Sequence, residues 1–207
     1  MKKIFLWSLS DNRSWENRVR SLMDSIGLNE LLDNRTVSRK CAVQTVKAKL
    51  ISDDSVKWKD ALWDDSNQEN GNKLRTYRLY KTDLITEDYV NISMDRSHRR
   101  ILARFRSGSL PLFIETGRYA KPKVPLNERK CKFCSAEMVE DELHFLLGCD
   151  FYSDLRRPLL DKAKLCNTDF QVLSHKDQFI FIMNHINLQR CLASTLCQMF
   201  KRRKVFI

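Results

Sequence analysis

Glycine and proline are scarce, with 5 Gly and 4 Pro in 207 residues. So few chain breakers argue against a turn-rich all-β fold and favour helices. No apolar run is long enough to span a bilayer, which speaks against a membrane partner. The apolar stretch within Met1–Leu9 (MKKIFLWSL) is interrupted too soon for a secretory signal. No internal repeat and no low-complexity tract occurs. Also missing are a Walker loop, a Rossmann glycine pattern, a nucleophile elbow and an HExxH pair. Neither the paired aspartates of a polymerase nor the carboxylate–lysine set of a nuclease is found. Asp60, Asp64 and Asp65 fit a solvated helix flank better than a cation site. These absences point away from an enzyme and from a small-molecule substrate.

Acids are in deficit: 26 Asp and Glu stand against 37 Lys and Arg, giving a formal charge of +11. A surplus of this size favours phosphate-bearing partners through counterion release, although it also serves solubility alone. Hydrophobic content of 43% with 30% charged residues is that of a globular chain. The seven cysteines are an odd number. Without a secretory signal they suit a reducing compartment, nuclear or cytoplasmic, and metal binding rather than a disulfide framework.

Apolar spacing predicts a series of helices. Ser14–Ile26 carries Trp15, Val19, Leu22, Met23 and Ile26 on one face, with Ser14 as cap and Gly27 as terminator. A second helix is expected over Ser38–Ile51. Ser52 or Asp53 would cap a third containing Trp58, Leu62 and Trp63. Ser66–Asn72 reads as a loop. Leu74–Lys81 and Thr86–Val90 read as short helices, though LRTYRLY also alternates as a strand would. Asp95–Arg106 is a basic helix capped by Asp95, and Ser107–Glu128 is an extended connector. Val139–Leu147 is expected to be a short helix ended by Gly148. Ser153–Ala163, bent or delayed by Pro158, Asp177–Asn184 with a Ser174 cap, and Asn187–Lys204 complete the series. The organisation expected is an N-terminal helical segment (1–66), a basic helix with connector and knuckle (73–163) and C-terminal helices (164–207), whether separate or one compact unit.

The segment CKFCSAEMVEDELHFLLGC (Cys131–Cys149) has the spacing C-x2-C-x9-H-x4-C. Two cysteines two residues apart can grip one ion from a tight turn. A His and a Cys five positions apart cannot share one straight helix face, but they can converge if the helix ends between them, which Gly148 permits. Cys131, Cys134, His144 and Cys149 then form a closed tetrahedral Cys3His set suited to structural Zn2+, with no open position for metal catalysis. Leu143, Phe145, Leu146 and Leu147 would pack around it. Three reduced cysteines and an ordinary histidine are the alternative. Cys41, Cys166, Cys191 and Cys197 read as buried structural thiols. The fold class expected is therefore mainly α, a helical domain with a small Cys3His zinc knuckle inserted between helices.

The basic residues concentrate in one stretch: Arg96, Arg99, Arg100, Arg104, Arg106, Arg118, Lys121, Lys123, Arg129, Lys130 and Lys132. Only Glu115 and Glu128 oppose them there. Glu137, Glu140, Asp141, Glu142, Asp150 and Asp154 follow as an acidic half. The functional reading is a surface that binds RNA or DNA by its phosphates, with Tyr119 or Phe133 available for stacking. The other is a solvated helix face with internal salt bridges to the acidic half. The run Lys201–Lys204 (KRRK) extends the basic surface, serves as a nuclear address or is a frayed helix end. Trp7, Trp15, Trp58, Trp63 and the Asn187–Phe200 helix support a different function, a protein-interaction scaffold with a structural zinc, hence a protein partner.

The run Leu102–Leu160 resembles the C-terminal region of animal non-LTR (LINE-type) retrotransposon reverse-transcriptase polyproteins. The resemblance rests on IETGRY (Ile114–Tyr119), NERKCKFC (Asn127–Cys134), VEDELHFLLGC (Val139–Cys149) and YSDLR (Tyr152–Arg156), with KLRTYRLYK (Lys73–Lys81) upstream. It implies that Cys131, Cys134, His144 and Cys149 are zinc ligands. It also implies a contribution to binding element RNA or target DNA, in a region that follows the polymerase core and is not itself catalytic. The polymerase and endonuclease of that family are not in this sequence.

Overall fold

A computed structural model describes residues 14–33, 36–66 and 71–205. Met1–Leu9, with Trp7, and residues 67–70 of the expected loop lie outside the described residues. The chain is mainly helical. Among the described residues its sole β pairing is an isolated antiparallel bridge between Lys130 and Val139. No described helix is long and apolar enough to cross a membrane. The chain divides into two compact units, Met1–Ala61 and Leu62–Ile207.

In the first unit, helix α1 (Trp15–Ser25) is capped by Ser14, whose Oγ accepts from the Asn17 N–H. Its buried residues are Met23 and, just beyond the end, Ile26, whereas Trp15 is 79% exposed. Gly27 adopts φ +70° after the last turn, where a side chain would be strained. A single turn, α2 (Glu30–Asp33), precedes α3 (Arg39–Leu62), 24 residues long. The two helices expected on either side of Ser52 are thus one. Capping residues begin a helix only where something ends the one before. No Gly or Pro interrupts Arg39–Leu62, and Lys49 pairs with Asp53 at 2.8 Å across the expected break.

In the second unit the strand reading of LRTYRLY is not realised: α4 (Tyr77–Tyr80) is a helical turn. The basic segment forms α5 (Arg96–Arg106), with Asp95 accepting from the His98 N–H. A turn α6 (Phe113–Thr116) interrupts the expected connector. Three helices follow: α7 (Ser153–Cys166), α8 (His175–Asn184) and α9 (Gln189–Val205). Pro158 lies inside α7 without ending it. Ser174 caps α8 as its spacing predicts.

Helix α9 packs against α5 and α7. Leu102 and Phe105 of α5, Leu159 and Ala163 of α7, Phe179 and Ile182 of α8, and Leu192, Leu196 and Met199 of α9 are buried in one core. Phe145 sits at its centre. Its ring lies 4.8 Å from Tyr152 and 5.1 Å from Phe200 between centroids. Burial of one such ring stabilises the fold by about 1.5–3 kcal/mol. The irregular stretch between α5 and α7 is therefore anchored from beneath by its own aromatic residues. Gly108 fixes its start: φ is +63°, and a Cβ there would meet the Lys73 carbonyl oxygen at 2.5 Å.

Candidate metal centre

The centre is built from two pieces of that stretch. In the first, the chain doubles back: the Cys131 N–H donates to the Met138 carbonyl at 2.8 Å, and the Glu140 N–H to the Arg129 carbonyl at 2.9 Å. Glu137, at φ 51°, makes the turn. Cys131 and Cys134 project from this knuckle. In the second piece, Asp141 accepts from the His144 N–H at 2.8 Å and starts a helical turn. The turn closes as a π turn over His144–Gly148, with the Cys149 N–H donating to the His144 carbonyl at 2.7 Å. On an α-helix, residues five apart point roughly 140° from each other. The wider π turn brings His144 and Cys149 to the same side.

Gly148 serves this geometry differently from the expectation. It is not among the glycines with left-handed backbone. A Cβ at Gly148 would lie 3.1 Å from Nδ1 of His144, so the bare backbone is what the imidazole rests against.

The four side chains converge. One ligand atom from each of Cys131, Cys134, His144 and Cys149 lies within 4.8 Å of all the others. The Cys131 and Cys149 sulfurs are 3.8 Å apart, and Cys134 Sγ is 3.4 Å from His144 Nε2. Cys131, His144 and Cys149 are buried, and Cys134 is half-buried. The hydrogen bond between the first and last sulfurs draws the Cys131 thiol below its ordinary range and pushes Cys149 above it. Thiols this close cannot both ionise without a cation between them. Three sulfurs and one imidazole nitrogen make a donor set that can hold a metal ion.

Arg156, 5% exposed, braces the centre from α7. Its guanidinium donates to the Leu146 carbonyl at 3.1 Å and to the Cys149 carbonyl, tying the middle of the π turn to the residue that ends it. Phe145, Leu146 and Leu147 are buried as the apolar shell expected around the ligands. The remaining cysteines differ from expectation. Cys41 is exposed, and Cys166, Cys191 and Cys197 are half-buried, because α3 and the outer flanks of α7 and α9 carry them.

The basic stretch separates into two populations. Arg96, Arg100, Lys121, Lys123, Lys130 and Lys132 are exposed, with Lys130 paired to Glu137 at 3.1 Å. Arg99 is exposed, but its guanidinium donates to the Val90 and Ile92 carbonyls. Arg104 is half-buried and donates to the Ser109 carbonyl. Arg118 pairs with Glu115 and donates to the Gly71 carbonyl.

Arg106 and Arg129 correct the expectation: they are core residues, 5% and 1% exposed, and present no charge to a phosphate. Arg106 pairs with Glu87, donates to the Met183 carbonyl and lies between the rings of Tyr80 and Tyr89. Arg129 donates to the Val124 and Ile114 carbonyls. The acidic half is likewise not one surface. Glu140 and Glu142 are each 1% exposed, paired with Arg203, a buried member of the KRRK run expected at the surface, and with Arg75, which the basic pattern did not single out. Burial pushes the Glu142 carboxyl up, and Arg75 draws it back.

No protein-family model, curated protein or solved structure matches the chain.

Proposed function

We propose that this chain is a non-catalytic nucleic-acid-binding module ordered by one structural zinc ion. The observation that carries the reading is the convergent Cys3His tetrad, three of its four members buried. With zinc–sulfur bonds near 2.3 Å and zinc–nitrogen bonds near 2.0 Å, a tetrahedron has edges of about 3.8 Å and 3.5 Å. Two of the six edges, Cys131–Cys149 at 3.8 Å and Cys134–His144 at 3.4 Å, match these values, and all the ligand atoms lie within 4.8 Å of one another. All four corners are protein ligands, so the ion's contribution is to folding. It would clamp a stretch of chain that has little regular structure of its own.

That clamp supports an exposed set of cations: Arg96 and Arg100 on α5, Lys121 and Lys123 before the knuckle, and Lys130 and Lys132 within it. These favour RNA or DNA phosphates over any uncharged partner, in keeping with the resemblance of Leu102–Leu160 to the C-terminal region of LINE-type polyproteins. The expected preparation carries one equivalent of zinc. Its nucleic-acid affinity falls steeply with salt, with a log–log slope of about −3 to −5 for four to six neutralised phosphates. A flat salt response, or a folded chain without metal, overturns the reading.

A protein-interaction scaffold is favoured by one separate observation. Trp15, Ile51 and Val56 are 79%, 65% and 57% exposed in the first unit. Such apolar exposure suits a partner protein there. The last helix gives this reading no support, because its apolar face is buried in the core.

A further inference from the structure

Where the knuckle meets the end of α9 there is a groove of about 750 Å³, well within the range of sites that take a flat organic group. Its apolar lining is Pro111 and four phenylalanines, Phe113, Phe133, Phe151 and Phe200. Phe133 and Phe151 stand 5.3 Å apart between centroids at 33°. Lys132 from the knuckle and Lys204 from the KRRK run also line the groove, and both are exposed. Lys132 places its Nζ 4.6 Å from the Phe113 ring centre. Neither lysine forms an ion pair with a described residue. The groove has one acid, Glu140. It is 1% exposed and neutralised by Arg203, with a further hydrogen bond from the Phe113 N–H at 2.6 Å.

The site is thus aromatic within and cationic at its edge, with no free negative charge. We propose that it seats an unstacked base of a single-stranded nucleic acid, with the adjoining phosphate on Lys132 and Lys204. This rests on the nucleic-acid reading above and adds the form of the ligand and the place it binds. Every base offers a π face to a ring, whereas a duplex keeps its bases stacked inside. Phe133 is packed between Arg203 and Phe151 and Phe200 is buried, so Phe113 and Phe151 are the rings that would meet the base. An extended acidic peptide fits less well. The Phe113 N–H and the Pro111 carbonyl, two main-chain groups of the lining, are already bonded to Glu140 and Arg203.

The test uses the full zinc-loaded chain and fluorescence anisotropy at one salt concentration. The probes are a labelled thymidine oligomer of about twelve nucleotides, its uridine counterpart and a hairpin duplex of matching length. Phe151→Leu keeps apolar bulk and removes the ring. It is expected to weaken single-strand binding about tenfold and to change duplex binding by less than about twofold, with zinc content unchanged. Lys132→Glu combined with Lys204→Glu is expected to weaken single-strand binding by about tenfold or more. Should Phe151→Leu fail to fold, Phe113→Leu supplies the same comparison.

If the lysine variants matter and the ring variants do not, the base-seating groove is refuted while the nucleic-acid reading stands. If the wild type binds none of the three probes, that reading itself falls. If a Glu- and Phe-rich peptide outcompetes both oligomers and the groove variants lose it, the groove is a peptide site and the inference is overturned.

Discussion

Arg203→Met would cut a buried ion pair from one side only. Glu140 is 1% exposed and receives the Arg203 guanidinium on both carboxylate oxygens, with the second contact at 2.9 Å. Methionine fills much of the arginine stem but leaves the carboxylate charged among Phe133, Tyr152 and the knuckle. Stranding a buried charge in this way costs about 3–5 kcal/mol. Adding Glu140→Gln removes the stranded charge and retains an oxygen for the Phe113 N–H.

The double variant should therefore be the more stable one. It would fall only about 1–2 kcal/mol below wild type, for the lost Arg203 contacts to the Pro111 carbonyl and the Phe133 face. The assay is urea unfolding at fixed zinc excess, so that metal linkage is constant across the series. Two additive single costs, or a double variant no better than Arg203→Met, would refute the buried pair as the link between α9 and the knuckle.

Four further outcomes are expected. Gly148→Ala should weaken zinc binding about tenfold in chelator competition, because the new Cβ presses the His144 imidazole off its ligand position. Arg129→Lys should cost about 2 kcal/mol in unfolding free energy, since a single ammonium nitrogen lacks the planar fork whose two nitrogens reach the Val124 and Ile114 carbonyls, whereas Lys132→Arg should cost nothing measurable. Arg96→Glu with Arg100→Glu should lower nucleic-acid affinity and flatten the salt slope by about 2 at unchanged zinc content, while Arg106→Glu should fail to fold. The hydrogen bond from Arg202 holds the Asp154 carboxyl at about 2, below its ordinary 3.8. The folded value is the lower one, so this contribution is present above the ordinary value and lost as pH falls through the folded one. Asp154→Asn should lower the melting temperature at neutral pH, with the difference shrinking between these two values.

The metal centre was legible because its signal is spacing of rare residue types. C-x2-C, then a His and a Cys flanking a glycine, leave few other geometries. The π turn that makes His144 and Cys149 converge was not, since nothing in HFLLG distinguishes an i to i+5 bond from the ordinary one. Helix starts at Ser14, Asp95 and Ser174 were legible for a local reason: a side-chain oxygen meets an N–H three residues on. The false break at Ser52 shows the converse, that a capping residue inside a strong helical run stays in the helix. The groove between the knuckle and α9 joins Lys132 to Lys204, and no local pattern relates residues 72 positions apart.

The burial of arginines has a more instructive reason, because the sequence carries a signal for it. In α9 the buried residues Leu192, Leu196, Met199 and Arg203 follow one helical stripe. Leu102, Phe105 and Arg106 do so in α5, and Arg156, Leu159 and Ala163 in α7. By position all three arginines belong to the core face; only their type suggests the surface. What allows them inside is the irregular backbone around them. Between α5 and α7 few carbonyls find partners in helices or sheets, and buried carbonyls need donors. A guanidinium offers five in a rigid fork. Arg156 serves two carbonyls of the π turn, Arg129 two of the connector, and Arg202 and Arg203 reach Phe151 and Pro111. Part of the net positive charge is therefore structural. The charge available to a phosphate is the smaller set that the fold leaves outside, and Lys132 and Lys204 of that set share a groove with four aromatic rings.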